Sequence, residues 1–68
     1  MKEFSDNLKR IRIEMKKSKR DLAQSIDVSM STIENWEKGK SLPNLINLFK
    51  LCQLLECSCD ALLGVEWG

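Results

Sequence analysis

The sequence predicts an all-α fold, and three observations carry that prediction. Only one proline and three glycines interrupt 68 residues. No stretch alternates polar with β-branched residues as a half-buried strand would, and apolar residues recur at intervals of three and four nearly throughout. A chain of this length is one domain, residues 1–68, with one modest core, because small domains bury only about 60% of the surface their unfolded chain exposes. Such a core supplies about 3–5 kcal/mol, so efficient packing or a partner chain is needed for comfortable stability.

The helices follow in order. Phe4, Leu8, Ile11 and Met15 form a narrow stripe at about 100° per residue, which predicts an amphipathic helix over residues 5–16 and leaves Ile13 on its opposite face. Ser18 with Asp21 reads as an N-cap with an acid in the first turn, opening a helix whose Leu22, Ala23 and Ile26 face one way and which stops near Asp27. Ser29 caps a third helix, with Val28 before the cap and Ile33 four positions after it as a hydrophobic staple, and Gly39 ends it. Pro43-Asn44 starts a fourth helix that puts Leu45, Leu48, Phe49, Cys52 and Leu55 on one face up to about Glu56. Ser58 caps a last short helix with Cys59, Leu62 and Leu63 as its apolar members and Gly64 at its end. Val65 to Gly68 is a tail too short for another domain.

Net charge is only +1, but it is unevenly spread: residues 1–20 carry eight basic and three acidic side chains, and the remaining residues are net acidic. Lys9, Arg10, Arg12, Lys16, Lys17, Lys19 and Arg20 stand against Glu14 alone, a basic run that suits a polyanion's surface as well as it suits a solvated helix face. The longest apolar runs are far short of the roughly 20 residues needed to cross a bilayer, and Met1-Lys2-Glu3-Phe4 lacks a signal peptide's apolar stretch. Three cysteines, an odd count without a secretory segment, argue for a reducing compartment and a cytoplasmic location. Cys52, Cys57 and Cys59 fit no standard zinc spacing, and each falls where an apolar residue is expected, so they read as small hydrophobes of the core. The chain has no histidine to serve as a neutral-pH base, no paired carboxylates in a cleft pattern and no glycine-rich phosphate cradle. These gaps argue against an enzyme, a cofactor or a small-molecule substrate.

From Ser18 to Gly39 two short helices are joined by a tight turn, with apolar residues at Leu22, Ala23, Ile26, Val28, Ile33 and Trp36. That is helix-turn-helix spacing. In projection Ile33 and Trp36 share the inward face of the third helix, so Trp36 belongs to the core rather than to a stacking surface. Met30, Ser31, Glu34, Asn35 and Lys38 fan across the other side. A face that mixes donors, acceptors and charge in this way suits the reading of base edges.

Leu22-Ala23, Val28-Ser29, Ser31-Thr32-Ile33, Trp36-Glu37-Lys38-Gly39-Lys40 and Pro43, continued by Leu48, Leu51, Leu55, Ser58, Asp60, Leu62, Leu63 and Gly64, resemble the phage-repressor-like (Cro/Xre-type) helix-turn-helix family over nearly the whole chain. The resemblance implies a compact five-helix bundle whose third helix enters the major groove of double-stranded DNA while the second lies across the backbone. It implies base reading by Met30, Ser31, Glu34 and Asn35, and phosphate contacts from Ser18, Lys19, Thr32, Lys38, Lys40, Ser41 and Asn44. Arg12 and Glu37 match family positions that form a partly buried ion pair. Lys19 stands where the family commonly has a glutamine, Asp27 where it has a turn glycine, and Lys17 where it has an apolar residue, whose space Met15 is expected to fill.

The last helices carry more apolar surface than one small core hides. Ile46, Phe49, Leu54 and Trp67 are therefore expected at a homodimer interface, the alternative being that the tail folds back over them. The functional expectation is a transcriptional regulator, a repressor by default, binding a pseudo-palindromic operator as a homodimer. The rival is a protein-interaction adaptor that keeps the fold and uses Met30 and its neighbours to bind another protein.

Overall fold

The computed structural model describes residues 2–65, and Trp67, one of the expected interface residues, lies outside them. Those residues form five helices and no strand: α1 (Lys2–Glu14), α2 (Lys19–Ile26), α3 (Met30–Lys38), α4 (Leu45–Leu54) and α5 (Cys59–Leu63). None of these helices is long and apolar enough to cross a membrane. Helix α1 packs on α3 and α5, α2 on α3 and α4, and α4 on α5. Phe4 and Leu8 of α1, Leu22 of α2, Ile33 of α3, Leu51 and Leu55 at α4, and Leu62 of α5 are fully buried together. Every helix thus contributes to one shared core, so none is stable by itself.

Side-chain oxygens set the starts of four helices. Ser18, Ser29, Asn44 and Ser58 accept from the backbone N–H of Asp21, Thr32, Asn47 and Ala61 respectively. Each cap contributes about 1 kcal/mol by satisfying a donor that the helix leaves unpaired. At α2 the cap is reciprocal, because the Asp21 carboxylate accepts from Ser18 N–H at 2.8 Å. These two Ser18 contacts hold the Asp21 carboxyl below its usual range.

The five helix ends share one device. A residue in left-handed backbone geometry stops each helix: Lys16, Asp27, Gly39, Glu56 and Gly64. The next residue's N–H then returns to a carbonyl five positions back, as in Lys17 to Arg12 (3.1 Å), Val28 to Ala23 (3.0 Å), Lys40 to Asn35 (2.9 Å), Cys57 to Cys52 (3.1 Å) and Val65 to Asp60 (2.9 Å). Glycine adopts this geometry without cost, whereas Lys16, Asp27 and Glu56 hold it with a Cβ, at φ 58, 59 and 52°. Gly64 is further constrained, because a Cβ there would sit 3.2 Å from both Glu3 Cβ and Asn7 Nδ2. Asn7 docks α1 on α5 by donating to the Ala61 and Leu62 carbonyls, both at 3.3 Å.

Two expectations need correction. Helix α1 begins at Lys2 and ends at Glu14 rather than spanning 5–16, and Met15 packs half-buried against the core from the turn beyond it. In α4, Leu45 and Phe49 do not share the inward face; they are 81% and 58% exposed. The inward stripe is Leu48, Leu51, Cys52 and Leu55, with Leu48 half-buried. The physical reason is phase. Seven of the ten α4 residues are apolar and Asn47, Lys50 and Gln53 mark only a narrow polar strip, so the pattern leaves the phase loosely set, and Leu45, the first residue after the cap, projects beyond the core it was expected to join.

Candidate nucleic-acid interface

The α2–α3 pair is built to hold one helix at a fixed angle. Ile26 and Leu22 of α2 meet Ile33 and Trp36 of α3 in the core. Val28, before the α3 cap, is half-buried against the same cluster as Ile33, as a hydrophobic staple requires. Between the helices Asp27 takes the left-handed conformation that the tight turn demands. With Ile33 and Trp36 inside, α3 turns its other side outward.

Met30 is 45% exposed and Ser31 is exposed; Glu34 and Asn35 are half-buried. None of the Ser31, Glu34 and Asn35 side chains forms a hydrogen bond among the described residues, so their donors and acceptors are unspent. Nine residues of helix are about 13–14 Å long, comparable with the roughly 12 Å width of the B-DNA major groove.

The residues expected at phosphates are in different states. Lys38, Lys40, Ser41 and Asn44 are exposed, and Lys19 is half-buried at the first position of α2. Ser18 and Asn44 each use one oxygen as an acceptor for their own helix. The Ser18 hydroxyl hydrogen and the Asn44 amide N–H groups remain to donate. Thr32 is half-buried and shares a 2.9 Å hydroxyl contact with Ser29, so it is already engaged at the α3 cap.

Arg12 fixes the far end of α3. Its Nε donates to Glu37 Oε2 at 2.6 Å and its Nη2 to Glu37 Oε1 at 3.1 Å, while Nη1 donates to the Lys17 carbonyl at 3.0 Å. The two side chains retain 10% and 4% of their exposure. The fork geometry satisfies both carboxylate oxygens and three guanidinium hydrogens, which is the condition for holding a charge pair away from water. Arg12 is therefore a brace between α1 and α3, and the basic run seen in the sequence loses it as a free cation. Arg10 is likewise occupied, by Glu14 at 3.2 Å and Asn7 Oδ1 at 3.3 Å. Lys9, Lys16, Lys17, Lys19 and Arg20 lie outside any ion pair among the described residues.

The apolar surface expected on the last helices is larger than expected on one side and smaller on another. Ile46 is 67% exposed, and Phe49, Leu45, Leu42 and Val65 are exposed as well, whereas Leu54 is half-buried against the chain's own core. Sequence reasoning missed Leu42 and Leu45. Their signal is a second stripe at 42, 45, 46 and 49 with helical spacing, parallel to the core stripe.

Two short helices joined by a left-handed turn, the second one capped, braced and polar on its outer side, define a helix-turn-helix domain. A family model described as helix-turn-helix matches residues 8–62. The chain belongs to that family, of the Cro/Xre type that its motif resembles. It is 39% identical over 44 residues to the HTH-type transcriptional regulator DicA of Escherichia coli (strain K12), covering 65% of this chain and 33% of that protein. It is 35% identical over 52 residues to the cryptic phage CTXphi transcriptional repressor RstR of Vibrio cholerae, covering 76% of this chain and 46% of that protein. It is 31% identical over 64 residues to the HTH-type transcriptional activator BcrR of Enterococcus faecalis, covering 94% of this chain and 31% of that protein. The chain thus spans 31–46% of the length of these relatives. A crystal structure of a transcriptional regulator from Listeria innocua superposes with a TM-score of 0.86 at 25% identity, over 96% of this chain and 61% of that one.

Proposed function

We propose that the chain is a sequence-specific, double-stranded-DNA-binding transcriptional regulator of the cytoplasm, a repressor that binds a pseudo-palindromic operator as a homodimer. The observation that carries this reading is the outer face of α3, where Met30, Ser31, Glu34 and Asn35 present unspent donors, acceptors and a thioether on a rigidly held helix. In the major groove Asn35 pairs bidentately with adenine, Ser31 reaches a base edge, Met30 packs on a thymine methyl and Glu34 accepts from a cytosine amino group. Ser18, Lys19, Thr32, Lys38, Lys40, Ser41 and Asn44 hold the backbone phosphates, helped by the free N–H groups at the starts of α2 and α3. One chain presents one recognition helix. A second copy, joined through Ile46, Phe49, Leu54 and Trp67 with Leu42 and Leu45 beside them, places the other about 34–36 Å away, one DNA turn.

Selection of bound sequences from a random duplex pool tests the whole reading. Enrichment of a two-fold-related motif with half-sites about one turn apart is the expected result, and recovery of an unenriched pool refutes it. Salt titration separates this function from an adaptor's: neutralising Z phosphates gives a log–log slope near −0.9Z, whereas an apolar protein contact changes little with salt.

A further inference from the structure

Apart from the polar face of α3 and the apolar face of α4, the chain gathers its three thiols at one corner, the junction of α4 and α5. Cys52 lies on the inward stripe of α4 and is buried, and Cys59 is the first residue of α5 and half-buried. Their sulfurs are 3.0 Å apart, and all three cysteines are free thiols. The backbone brings them together: Glu56 turns left-handed, Cys57 N–H closes on the Cys52 carbonyl, and Ser58 caps α5 so that its first turn faces α4. Cys57 is half-buried in that turn, and burial pushes its thiol up. Burial and the neighbouring Cys59 thiol push Cys52 up to about 12, so Cys52 alone is inert to solution oxidants.

We propose that Cys52 and Cys59 are a modification site, a dithiol that peroxide oxidants convert to an intramolecular disulfide between α4 and α5. Cys59, the more accessible sulfur of the pair, reacts first. Its thiolate attacks one peroxide oxygen, the O–O bond breaks, and hydroxide leaves and is protonated to water. Cys59 is then a sulfenic acid, oxidised by two electrons. Cys52 sulfur next attacks Cys59 sulfur, and the S–O bond breaks. The Cys52 proton passes to the departing hydroxyl, which leaves as water; the raised pKa of Cys52 slows this step, and the 3.0 Å approach of the two sulfurs offsets that by proximity. Two thiols and one peroxide give one disulfide and two waters. The sulfurs need to close by only about 1 Å to reach bonding distance near 2.05 Å. A resolving thiol already in place competes with further oxidation of the sulfenic acid, as cytosolic redox-responsive pairs require.

The test is intact mass and thiol tagging of the full chain after hydrogen peroxide, with dithiothreitol reversal. The expected product is lighter by about 2 Da and accepts one maleimide tag under denaturing conditions where the reduced chain accepts three. Peptide mapping should join Cys52 to Cys59. Cys57→Ser should lose the same mass and accept no tag, while Cys59→Ser and the packing-conservative Cys52→Ala should form no intramolecular bridge. Cys52→Ala should instead gain oxygen at Cys59. A bridge through Cys57, a covalent dimer as the main product, or three tags retained by the wild type under conditions that oxygenate Cys59 in Cys52→Ala each overturn the proposal. The wild-type map decides the matter even if a substitution at position 52 prevents folding.

Discussion

Helices α3 and α4 are nearly equal in length, both begin at a polar cap and both end at a left-handed residue, yet they face the outside with opposite chemistry. α3 hides Ile33 and Trp36 and shows Met30, Ser31, Glu34 and Asn35; α4 hides Leu51 and Cys52 and shows Leu45, Ile46 and Phe49. The outer side of α3 is complete in water and gains only from a polar ligand with matching geometry. The outer side of α4 is incomplete in water, because covering a side chain of that kind yields about 1–2 kcal/mol from what it still exposes. On the proposed function, one small fold carries two binding faces, one specified by hydrogen bonds and the other by area.

The largest test of this contrast acts on the brace behind α3. Arg12→Ala should cost about 3–5 kcal/mol, since it strands the Glu37 carboxylate and the Lys17 carbonyl. In a domain whose core supplies a similar amount, urea titration followed by circular dichroism should find the variant largely unfolded without denaturant. A loss below 1 kcal/mol would mean that the pair is effectively solvated.

Next in size is the apolar face. Ile46→Asp with Phe49→Asp should remove about 2–4 kcal/mol of self-association, more than a tenfold weaker dimer by sedimentation equilibrium. The folded monomer should survive, because both side chains are exposed within one chain. A wild type that is monomeric both free and on DNA would break the contrast at its α4 end.

At the α3 end, Asn35→Ala should cost about 1–3 kcal/mol on the selected site and relax preference at one base pair, whereas Lys40→Ala should weaken all duplexes alike and reduce the salt slope by about 1. Equal losses by Asn35→Ala on selected and random duplexes would strike Asn35 from the base-reading set.

Smaller effects sharpen how the helices are ended and started. Glu56→Gly should stabilise by up to about 1 kcal/mol in the same urea assay, because glycine relieves the left-handed strain at φ 52°. No gain would indicate that greater freedom of the unfolded chain cancels the relief. Asp21→Ala should destabilise slightly at neutral pH. The folded-state pKa of Asp21 is lowered, so its contribution is present above the unfolded value near 3.9 and fades as pH falls through the folded one. Wild type and Asp21→Ala should therefore converge in acid; a gap that widens there would contradict the capping role.

Much of this architecture was legible in the residues. Ser18, Ser29, Asn44 and Ser58 announce helix starts because a short side-chain oxygen followed by an apolar stripe has few other uses, and Gly39 and Gly64 announce ends for the matching reason. Ile33 and Trp36 orient α3 because polar residues occupy its remaining faces. The same logic fails for α4, where apolar residues cover most of the axis, Asn47, Lys50 and Gln53 leave only a narrow polar strip, and periodicity admits more than one phase. It fails also at Lys16 and Glu56, whose left-handed backbone has no signature in their side chains. Asn7 is a third case: an asparagine on a solvated helix is unremarked until α5 presents its carbonyls.

The guanidinium of Arg12 has a consequence for how this protein would respond to random mutagenesis. It ties the last turn of α1 to the bend after it and to the carboxylate on α3, so the tilt of α3, the helix proposed to face DNA, is governed from a position 25 residues upstream of Glu37 in the chain. A screen for variants that fail to occupy an operator would return Arg12 beside the side chains proposed to face the groove. Its loss would mimic a contact defect while arising from failure of the fold that holds α3, and only a measurement of folding would tell the two apart.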